Sequence, residues 1–187
     1  GLPCLALHGS FVEQAHRLGL TPEKHVLRDV EVVAERQVLV HDFDSERGDK
    51  VEVIGYMKRC MKADGVDYCW GEYVCLGADN ALLWLTEYDG HWNLARGVNR
   101  TVRAVGDVRY DNVDYKHFQG YAARVQYVIG EFPWRVRIEE SATVDDYVAP
   151  PRMISRERTQ NEETWTLAEY VAPAEIAAAF GLAQALP

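Results

Sequence analysis

The chain has 187 residues, of which 48% are apolar, and a formal net charge of -9. That length supports one domain with a real core, and the apolar share excludes a wholly disordered chain. The negative charge argues against non-specific binding of nucleic acid or an anionic membrane.

In chain order, Leu5 to Phe11 reads as a short strand. Val12 to Leu20 reads as a helical segment closed near Gly19 and broken by Thr21-Pro22. Val26 to Val33 and Val38 to Phe43 read as two further strands before an acidic loop from Asp42 to Asp49. From Lys50 the alternation sharpens. Val51, Val53 and Met57 share one parity, Ile54 and Tyr56 the other, and Gly55 interrupts the run as a bulge or close backbone approach would. Asp64-Gly65 marks a hairpin, and Val66 to Leu76 follows with Val66, Tyr68, Trp70, Glu72, Val74 and Leu76 on one face. Ala81 to Tyr88 and His91 to Leu94 flank Asp89-Gly90, a second tight-turn pair. These short strands form an antiparallel meander. A short strand is expected at Thr101 to Val105, and a long one from Phe118 to Ile129.

The segment Gly130-Glu131-Phe132-Pro133-Trp134 reads as a strand-to-strand corner. After it, Trp134, Val136 and Ile138 alternate with Arg135, Arg137 and Glu139, the pattern of a half-buried strand with Trp134 aimed at the core. Pro150-Pro151 is the strongest break, and Glu163 to Val171 is the last strand expected. Pro173 then opens a short helix, with Glu175 in its first turn and Ile176 and Phe180 on its apolar face. At that length the helix must dock on the sheet to be stable.

Cys4, Cys60, Cys69 and Cys75 form no C-x-x-C pair, which argues against a zinc ribbon. They read as small buried apolar residues in a reducing cytoplasm, without disulfide staples. The first residues lack a signal-peptide pattern, and no apolar run approaches a membrane span of about 20 residues. No cofactor motif, P-loop or G-x-S-x-G is present, and the neighbouring carboxylates Glu139-Glu140 and Asp145-Asp146 would point to opposite faces of a strand. An enzyme is therefore disfavoured. A metal site built from His91, His117, Glu131 and a cysteine lacks paired ligand spacing, and the acidic loop fails the calcium pattern, with Arg47 and Val53 where Gly and Glu belong.

Glu72 and Glu131 stand out because each lies in an aromatic setting, beside Trp70 and Trp134. A buried carboxylate needs a partner, and Arg59, Arg124 and Arg135 are the candidates. The structural reading is a strand-locking ion pair. The functional one is a polar anchor in an aromatic-lined pocket. His91-Trp92 follows a tight turn and is expected to be exposed, where Trp92 beside Glu87 and Asp89 would receive a cationic small molecule such as a polyamine.

Several motifs carry a resemblance: Ile54-Gly55-Tyr56-Met57-Lys58-Arg59, Trp70-Gly71-Glu72-Tyr73, Trp84-Leu85, Asp89-Gly90-His91-Trp92-Asn93 and Gly130-Glu131-Phe132-Pro133-Trp134. With Asp146-Tyr147-Val148-Ala149-Pro150-Pro151, Ser155, Glu157 and Glu169-Tyr170, they resemble the uncharacterised bacterial family called domain of unknown function 4178. The likeness runs from about Val51 to Phe180, and residues from about Val12 to Gly48 fall outside it. It implies no catalytic residues. It implies a bacterial gene context that includes membrane-stress proteins and polyamine synthase relatives.

The expectation is one mainly β domain over residues 1–187, with residues 1–48 poorly matched and residues 50–187 forming the core. It should be antiparallel and partly closed into a barrel or sandwich, with a docked C-terminal helix; the alternative is two β subdomains meeting near Arg96 to Asp114. The first functional expectation is a non-enzymatic module that binds a protein partner. The second is a small-molecule or polyamine-binding domain with tryptophans around Glu72 or Glu131, with His91, Trp92 and Trp134 as further contacts. An uncharacterised enzyme comes third.

Overall fold

A computed structural model of the protein describes residues 37–41, 48–77, 80–98 and 104–180, with backbone alone for 37–41, 48–50 and 104–105. The elements expected before residue 37 lie outside the described residues. Among the described residues there are eleven strands, in chain order: β1 Gln37–His41, β2 Gly48–Ala63, β3 Val66–Gly77, β4 Leu82–Tyr88, β5 His91–Gly97, β6 Ala104–Val105, β7 Asp107–Tyr110, β8 Val113–Gly130, β9 Ser141–Ala149, β10 Arg152–Arg158 and β11 Glu163–Val171. The helix α1 spans Pro173–Ala179. No described helix is long and apolar enough to cross a membrane.

Eight of the strands close a ring. β2 to β5 form one antiparallel meander and β8 to β11 a second; β5 pairs with β11 and β2 pairs with β8. The protein is therefore mainly β, an antiparallel closed barrel with a short C-terminal helix. Both seams bond the two meanders into one sheet. The halves join first strand to first and last to last, so each strand has a counterpart in the other half. β1 extends the sheet beyond the start of β2, and β6 and β7 extend it beyond the start of β8.

Side chains alternate between lumen and outer face, and the apolar packing lies mostly outside. On the outer face of the first meander, Val51, Val53, Cys75, Leu85, Trp92 and Leu94 pack with Ile176 and Phe180 from the helical end of the chain. On the second, Tyr115, Tyr147, Ile154, Trp165 and Leu167 pack with Val108 of β7. The helix forms where expected: Pro173 starts it, Glu175 sits in its first turn, and Ile176 and Ala177 are buried.

Two glycines set the β2–β8 seam. Gly55 and Gly130 are paired residues, and a Cβ on Gly55 would lie 2.5 Å from the Glu131 carbonyl oxygen. Gly130 has φ +91°, and a Cβ there would lie 2.5 Å from the Ile54 carbonyl oxygen. The positive φ turns the chain out of the sheet at the corner seen in the sequence.

Three expectations change. Residues 134–139 form no strand: the segment between β8 and β9 is irregular, with Trp134 42% and Ile138 50% exposed. Cys60 and Cys69 sit opposite each other on β2 and β3 and form a disulfide, while Cys75 is a buried free thiol. Trp92 is buried at 6% exposure on the outer face. The apolar side of β5 faces outward, so the surface cation site expected at Trp92 does not exist.

Candidate functional site

The lumen is a cavity of about 1020 Å³. Its wall mixes aromatic and polar side chains: Arg59 from β2, Trp70 and Glu72 from β3, Trp84 and Thr86 from β4, His91 and Asn93 from β5, Tyr121 from β8 and Glu157 from β10. One side of the lumen is packed by Ala95, Met153 and Ala168 with Trp84, Val148 and Tyr170 against them. Small barrels usually fill the interior with apolar side chains. Here the two outer cores carry that packing, and the interior keeps room.

A charged cluster crosses the lumen. Arg59 is 6% exposed, and its Nη1 donates to Glu157 Oε2 at 2.7 Å and to Glu72 Oε1 at 3.4 Å. The Trp70 indole N–H donates to the same Glu72 oxygen at 2.6 Å. Since β2 and β3 belong to one half and β10 to the other, Arg59 ties the two halves across the interior. Burial pushes the Glu72 carboxyl above its ordinary range, against the pull of the Arg59 charge and the Trp70 hydrogen bond, and the Glu157 charge adds to the rise. Burial works against the Arg59 cation, but Glu72 and Glu157 outweigh it and hold the guanidinium charged.

A second buried carboxylate lies on β9. Asp146 is fully buried and accepts from Ser155 Oγ at 2.6 Å, from Gln119 Nε2 at 3.1 Å and from the Tyr121 hydroxyl. Burial and the Asp146 charge push the Tyr121 phenol well above its ordinary value. Both oxygens of Asp146 are hydrogen-bonded, so it organises the wall. Glu72 differs: both of its bonds fall on Oε1.

The sequence-derived residues divide. Glu72 and His91 lie on the lumen wall, with the His91 ring 6.4 Å from that of Tyr170. Trp134 reaches the lumen from the irregular segment after β8, its ring 6.2 Å from Trp84 and 5.7 Å from Phe132. Trp92 is on the other face, stacked 5.7 Å from Tyr73. Glu131 is exposed, and its backbone N–H donates to the Ile54 carbonyl at 2.7 Å; the buried carboxylate expected there is corrected. Arg59 is the one candidate partner that meets Glu72, since Arg124 pairs with Glu139 outside. Sequence reasoning missed Glu157 and Asp146 as lumen residues; the available signal was a charge at a position sharing parity with apolar neighbours.

A family model described as Domain of unknown function (DUF4178) matches residues 41–173. No curated protein and no solved structure matches the chain.

Proposed function

The chain belongs to the domain of unknown function 4178 family, and from that premise we propose that its barrel binds a small molecule in the lumen. One observation carries the reading: a cavity of about 1020 Å³ is walled by tryptophans and a buried Arg–Glu–Glu cluster. Ligand pockets have about this size and this mix of apolar wall and few placed polar groups. A charge cluster of this kind is weak evidence for stability, because desolvation offsets the attraction of the pair. Its place inside a roomy lumen favours recognition.

The test is retention. The purified protein is equilibrated with a small-molecule extract of bacterial cells, washed and denatured, and the released compounds are identified by mass spectrometry. Thr86 lines the cavity and is half-buried, so Thr86→Trp puts a large side chain into the lumen. A compound retained by the parent and lost by a folded Thr86→Trp variant supports the reading. Identical retention by both refutes it.

A second reading, docking of a protein partner, is favoured by Tyr127 and Ile129, exposed at 40% and 50% on the stretch of β8 beyond the end of its β9 pairing. Ile129→Glu should then weaken capture of a partner without lowering the melting temperature.

A further inference from the structure

The charge on the lumen wall narrows the class of its occupant, and the inference rests on the lumen-binding reading. Inside the barrel Arg59 stands against Glu72 and Glu157. Asp146 adds a third carboxylate to the wall, and its donors Ser155, Gln119 and Tyr121 are all neutral. Three carboxylates therefore share one guanidinium. Burial raises the Glu72 carboxyl, and the Glu157 charge adds to the rise. Even with Glu72 protonated, Glu157 and Asp146 leave the interior negative.

The same sign continues at the mouth. The connection from β8 to β9 and the one from β10 to β11 lie at one end of the barrel, since Arg158 pairs with both Thr143 and Glu163. That end carries Glu140, Glu162 and Glu163 against Arg135, all exposed and all on the cavity wall. A cleft walled by one sign of charge concentrates ions of the other. An anion would meet carboxylates at the mouth and again inside. A neutral molecule would leave the excess charge uncompensated. The carboxylates do not converge as metal ligands do: among the described residues no three His, Cys, Asp or Glu side chains are grouped to hold a metal ion. Aromatic surface accompanies the charge, with Trp70 and Trp84 on the wall and Trp134 set 6.2 Å from Trp84. Aromatic faces attract organic cations.

We infer that the lumen takes an organic ammonium ion with an apolar body. Its head meets Glu157, whose side chain is 36% exposed, while the Glu72 side chain is 11% exposed and acts through its charge. Arg59 reaches Glu157 on Oε2, which leaves Oε1 as the acceptor for the head. The apolar body packs on the Trp84 and Trp134 rings. Two sources share this chemistry: a primary amine, with N–H donors for the carboxylate, and a quaternary ammonium, held by charge and ring faces.

Hexylamine, choline, hexan-1-ol and hexanoate serve as probes, titrated by calorimetry and by ligand-observed NMR at about 0.15 M salt, where attraction to exposed charges is screened. The expected result is binding of hexylamine or choline to the parent protein, about tenfold or more tighter than hexan-1-ol, with hexanoate unbound. A preference for hexylamine identifies a primary amine, and one for choline a quaternary ammonium. Thr86→Trp should abolish the signal. Glu157→Gln should weaken the cation about tenfold or more and leave the alcohol unchanged. Since the Glu157 side chain is 36% exposed, this variant carries the test should Thr86→Trp fail to fold. Hexan-1-ol or hexanoate bound as tightly as the cations, and lost in Thr86→Trp, overturns the inference while lumen binding stands. Cation binding that survives both variants belongs to the outer surface and also overturns it. Silence from all four probes overturns it too, and lumen binding then stands or falls on the extract experiment.

Discussion

The β2–β8 seam supports a stability series on three glycines. Gly65 has φ +82° and nothing within 4 Å of an added Cβ, so Gly65→Ala isolates the cost of the left-handed backbone. That cost is about 1–2 kcal/mol. Gly55 lacks the positive φ, but its Cβ would lie 2.5 Å from the Glu131 carbonyl oxygen and 2.9 Å from the Phe132 ring. Relief requires the strands to part, with an overpacking cost of about 1–3 kcal/mol and loss of the Glu131 N–H bond to Ile54, worth about 1 kcal/mol. Gly130→Ala combines both effects, since φ is +91° and the Ile54 carbonyl oxygen lies 2.5 Å away. The expected losses are about 1–2 kcal/mol for Gly65→Ala, about 2–4 for Gly55→Ala and about 3–6 for Gly130→Ala. Against a typical total of about 5–15 kcal/mol, the last would leave little folded protein in mild denaturant. Equilibrium urea unfolding reads all three midpoints. If Gly55→Ala and Gly130→Ala lose no more than Gly65→Ala, the seam is not sterically closed and the account of the corner fails.

The Cys60–Cys69 disulfide closes a loop with a sequence separation of 9, so reduction or the double serine variant should cost about 2.5 kcal/mol of chain entropy; an unchanged urea midpoint with and without reductant would contradict this. Asp146→Asn turns an acceptor of three donors into a group with donors of its own, and about 2–3 kcal/mol should be lost. Ser155→Ala should cost about 1 kcal/mol, and equal losses would mean that Asp146 is not the hub. Burial alone would raise the Asp145 carboxyl, but Arg156 and Arg158 outweigh it and hold it below its ordinary range. Its contribution is therefore present above the unfolded value of about 4 and lost as pH falls through the folded value. Asp145→Asn should flatten that acid limb in melting curves taken against pH. Glu72 has the opposite sign, since burial raises it: its contribution is present below about pH 4 and lost as pH rises through the folded value. A Glu72→Gln variant should lack that decline, and a parallel curve would place the titration elsewhere.

Hairpin signals were the most legible part of the fold. Asp64-Gly65 and Asp89-Gly90 both adopt positive φ at both residues, the demand that makes such pairs informative. The strands β9 and β10 were not legible, because alternation marks a strand only when one face is apolar. In β10 the lumen positions are Met153, Ser155 and Glu157, and the outer positions are Ile154 and Arg156. Polar and apolar residues fall on both faces, so period two disappears. The converse error came at Trp134 to Glu139, which alternates well. Gly130 turns the chain out and Pro133 removes a backbone donor, so the returning segment bonds β8 only around Val125. Alternation also cannot say which face is the lumen. That is why Trp92 was placed at an exposed surface, and why Glu131 was overread while Glu157 was passed over.

The paired halves explain why one lumen carboxylate is structural and the other is a candidate site. Glu72 lies opposite Met57 and Thr86, and Asp146 lies opposite Gln119 and Ser155. The two acids thus hold matching places in the two meanders. Two residues beyond Met57 is Arg59, and two beyond Gln119 is Tyr121. In the second half, all three donors to Asp146 come from that half's own first and third strands, and the set is closed. In the first half, methionine stands where glutamine does the work in the second, and an arginine too long for one carboxylate reaches on to Glu157 in the other half. Satisfied in itself, the Asp146 set rigidifies the wall. In the Arg59 set both Glu72 bonds fall on one oxygen, and Glu72 and Glu157 line the cavity. That difference in hydrogen bonding between two matched positions supports the lumen-binding proposal and makes Asp146 the structural member of the pair.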